Sequence, residues 1–131
     1  MAPLTYSAGH KCQIQAEQLG RGWETIHGAA EEVGRDPSQI DILFAHWIAI
    51  VTDDESRKAC EEGLAAYFPG DFDEAKQTYL IGTPEEIVDK IQEQTKFLPR
   101  VDGYLFTPII TNHDHLERIA QEIRPRLSDT P

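Results

Sequence analysis

The 131-residue sequence predicts an α/β fold built from parallel strand-helix units. Three observations carry that prediction. Ile40 to Val51 is a run in which only Asp41 and His46 are polar, and a segment rich in isoleucine and aromatics without polar alternation reads as a strand buried on both faces, as in parallel sheets covered by helices. Three apolar stretches are each followed directly by a helix start. The segments those starts open carry their apolar side chains on one face at helical spacing: Ala59, Cys60 and Leu64, then Ile87, Val88 and Ile91, then Leu116, Ile119, Ala120 and Ile123. Strand, cap and amphipathic helix, repeated, is the grammar of parallel βα units.

Taken in order, residues 1–12 mix Pro3, Gly9 and small polar residues and read as an N-terminal arm, with residues 13–131 as a single α/β domain. From Gln13 a helix is expected, with a stripe through Leu19, Trp23, Ile26, Ala30 and Val33 that Gly34 ends. Arg35 to Ser38 is a turn by composition and the buried strand follows. Thr52-Asp53-Asp54-Glu55 reads as a capping box, the threonine hydroxyl taking a backbone N–H while the glutamate reaches back. Thr83-Pro84-Glu85-Glu86, after Tyr79 to Gly82, repeats the device with proline where its missing N–H costs nothing. Thr111-Asn112-His113-Asp114, after Val101 to Ile110, is a looser third case. Residues 68–78 are expected to be a loop with a short helical turn at Phe72 to Lys76, and Pro125 to end or kink the last helix near Arg124.

Composition narrows the function. Twelve basic against 23 acidic residues give a net charge of −11, which argues against nucleic acid or an anionic membrane surface as the main partner. The longest apolar run, about ten residues, is too short to span a bilayer. The N-terminus lacks the basic start and apolar stretch of a signal peptide, so a cytoplasmic protein is expected. Cys12 and Cys60 form no metal or disulfide spacing. Gly20-Arg21-Gly22 lies inside a helix pattern and follows no strand, so it is no dinucleotide fingerprint, and neither a phosphate-binding P-loop nor a nucleophile elbow occurs.

Gly34-Arg35-Asp36-Pro37 before a strand, then Ile81-Gly82-Thr83-Pro84-Glu85-Glu86-Ile87-Val88, then Val101-Asp102-Gly103-Tyr104-Leu105-Phe106 form an ordered series. Over residues 30 to 127 that series resembles the C-terminal part of the bacterial-luciferase-like monooxygenase family, most closely the branch of the nitrilotriacetate monooxygenase components. The resemblance implies flavin-dependent or deazaflavin-dependent oxidoreductase chemistry on a (β/α) barrel, with FMN or deazaflavin as cofactor and a small organic substrate. The chain is about half the length of a closed barrel. The expected fold class is therefore parallel βα units equivalent to the C-terminal part of a (β/α)8 barrel, incomplete as a single chain. Exposed sheet edges would be covered by a second copy or a complementary barrel chain, so a homo-oligomer or a paired assembly is expected. The competing expectation is a non-catalytic interaction or scaffold module, or a fragment, derived from that family.

Ligands of parallel βα folds collect at the C-terminal ends of strands. That rim holds Thr52, Thr83 and the loop from Thr107 to His113. Thr52 and Thr83 are expected to serve as caps, and Thr107, Thr111, Asn112 and His113 as cofactor-contacting positions. His46, inside the apolar run on the face of Phe44 and Ile48, is the candidate catalytic group, because an imidazole near its ordinary pKa of about 6.5 suits proton transfer; a core histidine is the competing reading. No metal is expected: His113-Asp114-His115 lacks a further ligand at the spacing of a zinc site. Cys60 reads as a buried small hydrophobe, on the apolar side of its helix.

Overall fold

The computed structural model describes residues 16–68 and 70–128. The expected arm, Cys12 and the helix start at Gln13 lie outside the described residues. The elements in chain order are α1 (Ala16–Glu32), a 3₁₀ turn (Pro37–Gln39), β1 (Leu43–Ile50), α2 (Asp54–Tyr67), α3 (Phe72–Thr78), β2 (Leu80–Gly82), α4 (Pro84–Thr95), β3 (Gly103–Pro108), α5 (His113–Arg118), a π-helical turn (Ile119–Ile123) and α6 (Arg124–Ser128). The fold is α/β with one parallel sheet in the order β2-β1-β3. The described residues fall into two compact units, residues 16–45 with 92–105, and residues 46–68 and 70–91 with 106–128.

In the first unit α1 is stopped as expected. Gly34 has φ +75, a value that favours glycine, and the N–H groups of Gly34 and Arg35 return to the carbonyls of Glu31 and Ala30. The buried face of α1 keeps part of the expected stripe, with Ala30 buried and Leu19 and Trp23 half-buried, and departs from it elsewhere. Ile26 and Val33 are exposed, at 48% and 78%, while Ala16, Gly20 and Ala30 are buried. Small residues allow close approach: a Cβ on Gly20 would stand 2.8 Å from Cβ of Phe97. The helix has turned its small side inward, which a count of large apolar residues does not register. Arg100 ties the unit's loops together. Its guanidinium donates to the carbonyls of Ser38 and Ile40 and pairs with Asp102 at 3.1 Å, while Asp102 Oδ2 accepts the Ile42 N–H at 2.7 Å.

The second unit carries the core. Ile48 pairs with Leu80, Ala49 with Ile81 and Ile50 with Gly82, all in parallel. Ile48, Ala49 and Ile50 are fully buried, so this end of β1 is covered on both faces. The other end differs from the expectation, since Leu43 is 64% exposed beside a buried Phe44. Ala49, Cys60, Leu64, Ile81, Ile109 and Ile110 form a buried cluster, with Trp47, Phe68, Phe72 and Tyr79 packed against it. Gly63 of α2 sits where a Cβ would lie 2.3 Å from the carbonyl oxygen of Ile109, so only glycine lets the helix come this close.

Two of the expected helix starts shift by one residue. The cap of α2 is Asp53, not Thr52: its carboxylate accepts the Ser56 N–H at 2.8 Å, and the Ser56 hydroxyl accepts the N–H groups of Thr52 and Asp53. The cap before α5 is Asn112, not Thr111, with Oδ1 accepting the His115 N–H at 2.8 Å. Aspartate and asparagine bring a carbonyl-type oxygen one bond further than threonine and outcompete it when adjacent. Thr83 stands as expected, accepting the Glu86 N–H at 3.2 Å while Glu86 Oε1 accepts the Thr83 N–H at 2.9 Å. The loop expected at 68–78 contains a fuller helix, α3, capped by Asp71. Pro125 does not end the last helix. The preceding turn widens instead, the Arg124 N–H reaching back to Ile119, which relieves the crowding a proline ring imposes on the turn before it.

Candidate functional site

The site lies within the second unit, at the C-terminal end of β1. The chain passes from β1 to β2 on one side and then crosses to β3 on the other, and the crevice beyond the strand ends at such a reversal is where parallel sheets bind ligands. The groups there are Thr52 and Asp53 from the β1–α2 junction and His115, Arg118 and Glu122 from the helix after β3.

His115 is 5% exposed, and its Nε2 accepts the Ile50 N–H at 3.2 Å. Ile48 O, on the same edge of β1, takes the N–H of Ile109 at 2.9 Å. The imidazole therefore fills the next position of the ladder, where β3 has already ended. Burial, then the charge of Arg118, push the imidazole pKa below its ordinary value. Arg118 pairs with Glu122 through Nε at 2.7 Å and Nη2 at 3.4 Å, and its Nη1 lies 3.5 Å from the Thr52 hydroxyl. The Arg118 guanidinium holds the Glu122 carboxyl below the usual carboxylate range. Asp53 is lowered as well, by the Ser56 N–H it accepts.

His115 enters the sequence reading only in the discounted His113-Asp114-His115 metal motif, and Leu116 takes its place on the expected apolar face. Leu116 is 44% exposed, whereas His115, Ile119 and Ile123 follow one another at steps of four toward the core, Ile123 being fully buried. That spacing is the signal that finds it.

The residues expected at the rim have separate surroundings. Thr107 and Thr111 are exposed, on and after β3. Asn112 spends its side-chain oxygen on the helix cap, and His113 is exposed and pairs with Glu117 at 3.1 Å. His46 lies midway along β1, two residues before the first β2 pair. Its Nδ1 accepts the Trp47 N–H at 3.0 Å and its ring meets Tyr79 edge-on at 6.2 Å. Burial holds its pKa at about 4, so the imidazole is neutral at pH 7, in place of the titration near 6.5 expected from the sequence. Cys60 is buried and its thiol is pushed up to about 11.

No protein-family model matches the chain, and no curated protein matches it. Among solved structures it is similar to riboflavin lyase bound to modified FMN and riboflavin, with a TM-score of 0.58 and 17% identity over 93% of this chain. It is also similar to long-chain alkane monooxygenase, with a TM-score of 0.56 and 15% identity over 88% of this chain. The chain spans 37% and 35% of their lengths. At these identities the likeness establishes the fold alone, an α/β chain that corresponds to part of each of those two structures.

Proposed function

We propose that the chain is part of a luciferase-like flavin-dependent oxidoreductase, supplying βα units to a site completed by another chain or a second copy and acting with reduced FMN or deazaflavin on a small organic substrate. The observation that carries this reading is the common fold with two flavin enzymes. The ordered Gly-Thr-Pro-Glu-Glu and Asp-Gly-Tyr segments, which resemble that family's C-terminal part, support it independently. In this reading Thr107, Thr111 and His113 are the positions open to a ligand at the strand ends, Asn112 orders the turn that carries them, and His46 is a neutral core imidazole. The charge of −11 disfavours nucleic acid, no helix among the described residues is long and apolar enough to cross a membrane, and we assign the protein to the cytoplasm.

The described residues do not fit a flavin phosphate. An anion needs free N–H groups or cations at a helix start. The first turn of α2 carries Asp54 and Glu55 and that of α4 carries Glu85 and Glu86. Their caps are engaged by Asp53, Ser56, Thr83 and Glu86 of the chain itself. Arg118 at the strand ends is paired with Glu122. No flavin-dependent step is derived from these residues, and phosphate binding is left to the completing partner.

The same acidic, self-capped helix starts favour a second reading, an interaction module derived from the family that has lost the cofactor. Titration of FMN followed by flavin fluorescence separates the two. Saturable quenching by the assembled chain, as an oligomer or with a completing chain, weakened severalfold by Thr107→Ala or His113→Ala, supports the oxidoreductase reading; an assembly that leaves FMN fluorescence unchanged up to millimolar concentration moves the function to partner binding.

A further inference from the structure

We propose that His115 is a pH-operated latch: in its neutral form it holds the end of β1 and closes the C-terminal ends of the strands, and its protonation releases the start of α5.

The geometry sets the chemistry. The Ile50 N–H lies on the edge of β1 that also presents the Ile48 carbonyl, and Ile48 O is occupied by the N–H of Ile109. A strand donor at this position needs an acceptor, and Nε2 of His115 supplies it at 3.2 Å. A neutral imidazole accepts through one nitrogen only, so the bond assigns the proton to Nδ1. Once both nitrogens are protonated, Nε2–H faces the Ile50 N–H and two donors oppose each other. With the ring 5% exposed, water has no room to intervene while the ring stays in place. The ring must leave.

The surrounding charges bias when this happens. Arg118, one turn along the same helix, opposes protonation, and Glu122, a further turn on, favours it. Asp53, at the start of α2, acts on Arg118. Ile50 and Val51 of β1 and Ile109 and Ile110 after β3 bring no charge. What the ring carries with it is defined by the cap: the His115 N–H is held by Asn112 Oδ1, so residues 112 to 115 move as one turn. Its release uncovers the ends of β1 and β3, the side of a parallel sheet that receives ligands. The latch does not depend on the flavin reading.

Amide hydrogen exchange by NMR over descending pH tests it, with the His115 ring signals followed in the same samples. The protection factor of Ile50 is expected to fall tenfold or more with the midpoint of the His115 titration, while Val51, whose N–H is held by Gly82 O, keeps its protection. His115→Gln retains an acceptor that does not titrate and is expected to make Ile50 protection flat across that range. Ile50 protection that stays constant through the His115 titration, loss of Ile50 and Val51 protection together, or a His115 that does not titrate before the chain unfolds would each overturn the proposal. The wild-type readout stands even if the variant fails to fold.

Discussion

His115 Nε2 and the Ile50 N–H, 65 positions apart in the chain, meet at 3.2 Å, and a side chain thereby takes the place of a strand. Histidine suits this role because one ring nitrogen accepts while the side chain stays buried. His115→Phe keeps the ring and removes the acceptor, leaving the Ile50 N–H buried without a partner. An unsatisfied buried donor costs about 1–3 kcal/mol. Urea denaturation is expected to show a loss in that range, smaller for His115→Gln.

A second histidine sets the acid limit. An unfolded histidine takes up a proton near pH 6.5, whereas burial holds folded His46 at about 4. Between those values the unfolded chain binds more protons, so stability is fully present above about pH 6.5 and is lost as pH falls toward 4. The difference corresponds to about 3 kcal/mol. The carboxylates of Asp53, Glu86 and Asp102 are also lowered, and their contribution is lost in a separate window, below the ordinary carboxylate range. His46→Phe is expected to flatten the slope of stability between pH 6.5 and 4 and leave the lower window in place. An unchanged slope would show that His46 is not held neutral.

Glycine substitutions should divide by position. At Gly63 a Cβ would meet the Ile109 carbonyl at 2.3 Å, so Gly63→Ala is expected to destabilise by about 2 kcal/mol or more despite alanine's better helix propensity. Gly22 and Gly28, both in α1, have nothing within 4 Å of such an atom. Alanine there is expected to stabilise by about 0.5–1 kcal/mol. Thermal midpoints that move in one direction for all three variants would contradict the close approach of α2.

The shifted cap of α2 has its own signature. Asp53→Ala is expected to cost about 1 kcal/mol, and Thr52→Ala a few tenths, because Thr52 gives the helix start only its backbone N–H. Equal losses, measured by chemical denaturation, would return the cap to Thr52.

These cases mark how far the sequence was legible. Strand-helix alternation, the Gly34 stop and the Thr83 capping box follow from local rules and are all present. The caps at Asp53 and Asn112 were displaced because two competent residues stand side by side and only tertiary geometry chooses between them. The inward face of α1 was read only in part, through Leu19, Trp23 and Ala30, because Gly20 packs by having no side chain against Phe97. The role of His115 was missed because Leu116 was placed on the inward face; the steps of four from His115 to Ile119 and Ile123 mark the buried stripe, while its partner, a backbone N–H from a distant strand, is visible only in the fold. Whether a chain needs a partner to complete a cofactor site is written in contacts it does not make with itself.

The central claim, that these βα units complete a flavin site in an assembly, is tested most directly by titrating FMN calorimetrically while measuring mass by light scattering. The account predicts no binding by an isolated monomer and one flavin per completed site in an assembly. Tight one-to-one binding by a monomeric chain would contradict it, because the helix starts described here would then hold a phosphate against their own carboxylates.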